Sequence, residues 1–120
     1  IKNAYLLDKY LNNIEEVTTV GRDKNLKEVF HLYHFNVKFK RNMLIEFLNK
    51  NNIDAKIHYP KPIHLQPAAK FLRYKKGDFP NAEKIANTTI SLPVHEFITK
   101  EQILYTVSII KKFFLNNKEQ

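Results

Sequence analysis

The sequence predicts an α+β fold, a small and mostly antiparallel sheet with helices packed mainly on one face. Three observations lead there. One run, "VFHLYHFNVKF" (Val29 to Phe39), is β-branched and aromatic with rough alternation. Amphipathic stripes of helical period lie before and after it. A second short extended stretch, "DAKIHYP", follows the first of those later helices, so the middle of the chain reads strand, helix, strand. At 120 residues and 43% hydrophobic composition, the chain is long enough for one domain with a modest core.

Residues 1–12 place Tyr5, Leu6, Leu7, Tyr10 and Leu11 at helical spacing, and Asn12-Asn13 ends that helix. Residues 14–28 read as polar and irregular, with Gly21 at a turn. In the strand that follows, Phe30, Leu32 and His34 fall on one side and His31, Tyr33, Phe35 and Val37 on the other, both sides being apolar enough to be covered. Asn42 is placed to cap a helix whose stripe is Leu44, Phe47 and Leu48, and Asn51-Asn52 closes it.

Pro67 opens a short helix carrying Ala68, Ala69, Phe71 and Leu72. "KKGDFP" breaks it, and Pro80 begins the next helix, which runs to about Thr88. "TTISL" is extended and stops at Pro93. "TKEQ" is a capping box, in which Thr99 bonds forward and Gln102 reaches back, before a stripe of Ile103, Val107, Ile110 and Phe114.

Composition excludes several classes. There is no cysteine, so neither disulfides nor thiolate chemistry enters, and this fits a cytoplasmic setting. No apolar run reaches the roughly 20 residues of a membrane span. Net charge is +8, but the lysines are interleaved with acids, only three residues are arginine, and Lys75-Lys76 and Lys111-Lys112 are pairs rather than runs. A nucleic-acid groove favours clustered arginine with stacking aromatics, so a solvated basic surface is the simpler reading and nucleic acid is not the expected partner. The chain opens on Ile1 rather than Met, the expectation for a segment of a longer product.

The chemistry concentrates in "KIHYPKPIHLQPAAKF", Lys56 to Phe71. Tyr59 and Lys61 each precede proline and are biased to extended backbone, so His58 to Pro62 is stiff. His58 can donate to a phosphate or hydroxyl, and Tyr59 offers an apolar face with a hydroxyl. His64 and Gln66 follow the second proline. A rigid loop at a strand end is a common place for ligand groups. A structural turn whose His and Tyr cap backbone groups is the other reading of the same residues. Metal binding is not expected, because His58-x5-His64 has no third ligand nearby and His31 and His34, three apart on a strand, diverge. No Gly-x-Ser-x-Gly turn occurs, and Gly21 and Gly77 alone cannot form a phosphate-cradling loop.

The ordered pieces "VFHLYHFNV", Arg41 before a helix, "NNIDAKIHYPKPIHLQPA" and "GDFPNAEKIANTTISLPVHEFITKEQI", spanning about residues 28–115, resemble the C-terminal domain of the DegT/StrS-type sugar aminotransferases. Those are pyridoxal-phosphate enzymes of the aspartate-aminotransferase fold that aminate nucleotide-linked keto sugars, for cell-surface polysaccharide and related amino-sugar biosynthesis. The resemblance implies that residues 1–13 end a helix arriving from an upstream cofactor domain and that 14–120 are the small domain of a homodimer using an amino donor, glutamate. By position, His58, Tyr59, His64 and Gln66 match the substrate-side motif, whereas Phe79, Pro80 and Glu83 match a motif read as packing and helix start. The lysine, aspartate and Ser/Thr that hold pyridoxal phosphate belong to the other domain, so no cofactor and no catalytic residue is expected here. Without that domain, Tyr5, Leu6, Tyr10 and Leu11 are expected to form an exposed apolar patch. A stand-alone binding remnant of the family and a basic RNA-binding domain are the rival readings.

Overall fold

The structure is a computed structural model that describes residues 1–118. Helix α1 (Lys2–Leu11) leads into strand β1 (Val17–Thr19). Strand β2 (Tyr33–Val37), helix α2 (Arg41–Lys50), two 3₁₀ turns (Ile63–Leu65 and Pro67–Leu72), helix α3 (Pro80–Thr88), strand β3 (Thr89–Leu92) and helix α4 (Lys100–Asn116) follow. The strands form one antiparallel sheet in the order β1-β2-β3, with Val17 opposite Val37, Phe35 opposite Ile90 and Tyr33 opposite Leu92.

Strand alternation decides the layers. Tyr33, Phe35 and Val37 are buried and share one core with Ile90 and Leu92, with Ala4, Leu7 and Leu11 of α1, Leu44 and Leu48 of α2, and Ile103, Ile110 and Phe114 of α4. Three helices therefore cover one sheet face. The other face carries His34, Asn36, Thr89 and Ser91, and α3 meets it through a bond from the Thr88 hydroxyl to Asn36 Oδ1, 3.1 Å. The expected α+β class and antiparallel sheet hold, as does the capping box of α4, in which both reciprocal bonds form.

Several local expectations are corrected. The stretch 14–28 contains β1, too short for alternation to register. The central strand is five residues, not eleven, because Phe30 takes a left-handed backbone (φ 52°) and breaks the extended chain before Tyr33. Asn42 does not cap α2. Lys40, also left-handed (φ 54°), stands at that position, and Asn42 Oδ1 accepts from Arg41 Nε. "DAKIHYP" contributes a single bridge, Lys56 to Ser91, rather than a strand. Leu11 is fully buried and Leu6 and Tyr10 pack against the core, so of the apolar patch expected on α1 only Tyr5, 46% exposed, is open.

One polar network inside this body left no trace in the sequence pattern. Arg22 forks onto Asp8 (Nε to Oδ2 3.0 Å, Nη2 to Oδ1 3.2 Å) and reaches Glu28 at 2.7 Å, while the Tyr33 hydroxyl donates to Asp8 Oδ1 at 2.6 Å. Burial first, and then the Asp8 bond, raise the Tyr33 phenol far above its ordinary range. The network ties the 20–30 loop to α1 and β2. Among the described residues no helix is long and apolar enough to cross a membrane.

Candidate functional site

The loop that holds the four candidate residues leaves the sheet at the Lys56–Ser91 bridge, where two backbone bonds of 3.0 and 2.8 Å fasten its root to β3. That pairing is a single antiparallel bridge, two residues before His58. The His58–Tyr59 peptide is cis, and Pro60 and Pro62 follow. A 3₁₀ turn closes on Pro62 through Leu65 N–H to its carbonyl, 3.0 Å.

The structure separates the four residues into two pairs. His64 and Gln66 are engaged within the protein. The Gln66 amide donates to the Lys61 carbonyl at 3.3 Å and closes the loop on itself. His64 is buried, its Nε2 lies 2.9 Å from Glu83 Oε1, and its ring packs on Phe79 with centroids 4.8 Å apart. Glu83 also accepts from the Gly77 N–H at 2.7 Å, at a turn whose φ of 96° favours glycine. That N–H first, and His64 next, hold the Glu83 carboxyl below the usual range. Glu83 is thus more than a helix-start residue: it locks the "GDFP" turn to the histidine loop. Nineteen residues separate the two, and no local periodicity could have paired them.

His58 and Tyr59 are left for outside contacts. Tyr59 is 75% exposed. His58 is half-buried, edge-on to Tyr59, and makes no hydrogen bond through either nitrogen among the described residues. Its Nδ1 is buried, and on the polar face of the sheet Ser91 Oγ lies 2.9 Å from His34 Nδ1. The imidazole of His34 is held below its ordinary pKa by burial, by His58 and by Arg22. Behind the loop, Arg41 Nη1 donates to the carbonyls of Ala86 and Thr89 at 3.1 and 3.2 Å, satisfying the end of α3. Two clefts lie elsewhere. One of about 410 Å³ runs between α1, the 92–98 turn and α4, and one of about 580 Å³ lies between Ile1, Val29 and the 94–97 turn. Neither is lined by His58, Tyr59, His64 or Gln66. The candidate residues thus lie apart from both clefts, with Tyr59 exposed and His64 buried. Among the described residues no three metal-ligating side chains come together.

Relatives place this geometry. The uncharacterised protein MJ1066 of Methanocaldococcus jannaschii is 35% identical over 96% of this chain and 31% of its own length. The dTDP-3-amino-3,6-dideoxy-alpha-D-galactopyranose transaminase of Aneurinibacillus thermoaerophilus is 31% identical over 92% of this chain and 29% of its own. Among solved structures, DesV of S. venezuelae in complex with a ketimine intermediate superposes with a TM-score of 0.81 at 25% identity, over 92% of this chain and 30% of that one. The chain spans less than a third of each of these proteins. The family match itself runs over residues 1–111, taking in α1 as well as the quoted motifs. The chain belongs to the DegT/DnrJ/EryC1/StrS aminotransferase family.

Proposed function

We propose that this chain is the small, C-terminal domain of a cytoplasmic, homodimeric sugar aminotransferase that uses pyridoxal phosphate and glutamate to aminate a nucleotide-linked keto sugar. What supports the reading most is the division within the loop. His64 and Gln66 hold its shape, while His58 Nε2 and the Tyr59 hydroxyl, on the same stiff segment, make no hydrogen bond among the described residues. In this proposal His58 and Tyr59 contact the sugar side of the substrate, and His64 and Gln66 position them.

Pyridoxal phosphate supplies electron withdrawal from the amino-bearing carbon and is held through a lysine beside an acid. Every described lysine in this chain is exposed, and none sits in an enclosed acidic site. The residues present do not fit the cofactor, and no step of its chemistry is assigned to them. The chain's part is to bind and orient.

Two experiments test this. Sequencing the DNA upstream of the Ile1 codon should reveal an in-frame domain bearing the cofactor lysine. A stop codon close upstream instead favours the stand-alone remnant. In the longer protein, His58→Ala and Tyr59→Phe should each lower kcat/KM about ten- to hundred-fold, the loss of one hydrogen bond to a charged or strongly polar group, with the cofactor spectrum and Tm unchanged. Early melting with full activity per folded molecule would make the loop purely structural.

A further inference from the structure

A neutral imidazole carries its proton on one nitrogen and accepts on the other, and surroundings decide which. For His58 the surroundings are asymmetric. Among the described residues Nδ1 is buried without a hydrogen-bond partner, whereas Nε2 is also unbonded but is not buried. A proton on Nδ1 would face into the protein with no acceptor to receive it, and buried N–H groups without partners are rare in folded proteins. No atom of the described residues hydrogen-bonds Nδ1, so nothing there receives such a proton.

We infer that His58 is fixed as the Nε2–H tautomer by the burial of an unpartnered Nδ1, so that it serves the substrate as a hydrogen-bond donor to an oxygen and not as a proton-accepting base at Nε2. The inference deepens the reading of His58 as a substrate contact and rests on it for the ligand, though not for the tautomer. The acceptor is an oxygen of the sugar nucleotide, either a sugar hydroxyl or carbonyl or a phosphate.

The test has two independent parts. With ¹⁵N-histidine labelling of the 120-residue chain at about pH 8, above the ordinary histidine range near 6.5, long-range ¹H–¹⁵N correlation reads each ring directly. His58→Gln identifies the His58 signals by their loss. A pyrrole-type nitrogen at Nε2 and a pyridine-type nitrogen at Nδ1 are expected. The reverse pattern, or signals averaged between the tautomers, overturns the assignment. In the longer enzyme, His58→Gln, whose amide nitrogen reaches toward the Nε2 position, should retain kcat/KM within about threefold, while His58→Asn, which imitates Nδ1, should lose about tenfold, one hydrogen bond's worth. Inorganic pyrophosphate as an inhibitor separates the acceptors: weaker inhibition of His58→Asn than of wild type indicates phosphate, unchanged inhibition indicates the sugar. If the tautomer stands but both variants keep full activity, His58 does not touch substrate and the donor role is overturned together with the proposed function of the loop.

Discussion

The body of the molecule and its 57–88 segment are fastened by different kinds of force. In the body, α1, α2 and α4 bury Ala4, Leu11, Leu44, Leu48 and Ile110 completely against Tyr33, Phe35 and Ile90, and apolar burial of that kind is non-directional and large in sum. In the segment, every residue from 70 to 82 is exposed. Tyr59, Ile63, Phe71, Leu72, Tyr74, Phe79 and Ile85 stand among the exposed large hydrophobics. Within it only His64, Ala69 and Ala86 are buried, Phe79 packs on His64 and Tyr74, and the rest of its hold is a short set of directional contacts: the Lys56–Ser91 bridge, Glu83 with His64 and Gly77, Arg41 on the end of α3, and Thr88 on Asn36. The Cα radius of gyration of 15.6 Å exceeds the about 13.5 Å of a compact chain this long. The comparison teaches that this fold spends its apolar burial on the scaffold and uses polar anchors, prolines and one glycine to shape the part that carries His58 and Tyr59.

The largest effect should come from breaking the body. Phe35→Ala opens a cavity at a fully buried site and should cost about 3–5 kcal/mol, read as a fall in the denaturant midpoint with unchanged slope. Phe47→Ala should cost less, because Phe47 is only half-buried, against Phe113. Asp8→Ala comes next. It strips both Arg22 and the Tyr33 hydroxyl of their shared partner, and about 2–4 kcal/mol is expected. A loss below half a kcal/mol by chemical denaturation would mean that the network adds nothing to the body.

Breaking the arm should look different. Glu83→Ala removes the acceptor of both Gly77 N–H and His64, and the expected result is faster exchange of the Gly77 amide with little change in the global midpoint. Acid should do the same to the unmodified chain. The Glu83 carboxyl is held below its ordinary value, so its contribution is complete above the usual glutamate range near about 4.3 and is lost as pH falls through the lowered value. Gly77 protection followed against pH checks the direction. An arm that loosens as pH rises instead would contradict the anchor. The smallest effect belongs to Phe71→Ser, at a side chain 79% exposed, where stability should move by no more than about 0.5 kcal/mol.

How much was legible follows the same division. Helical stripes such as Leu44 and Leu48, or Ile103, Ile110 and Phe114, announce the body because burial is periodic along the chain. The capping box of Thr99 and Gln102 and the start of α3 at Pro80 are local chemistry and were readable too. The polar contacts were not. His34 meets Ser91 across 57 residues and Tyr33 meets Asp8 across 25, and no spacing rule joins such partners. The loop was legible as a loop, through its prolines. That His64 would be bound to Glu83 while His58 stayed free depends on long-range geometry alone. β1 escaped because three residues are too few to show a period.

Native-state hydrogen exchange, resolved by residue on the 120-residue chain, tests the contrast most directly. Amides of β2, α2 and α4 should exchange only through global unfolding, tracking the stability measured by denaturant, whereas those between 59 and 85 should exchange through local openings of much lower free energy that denaturant hardly affects. Equal protection of the two regions, with one shared dependence on denaturant, would contradict the account of a packed body carrying a polar-anchored arm.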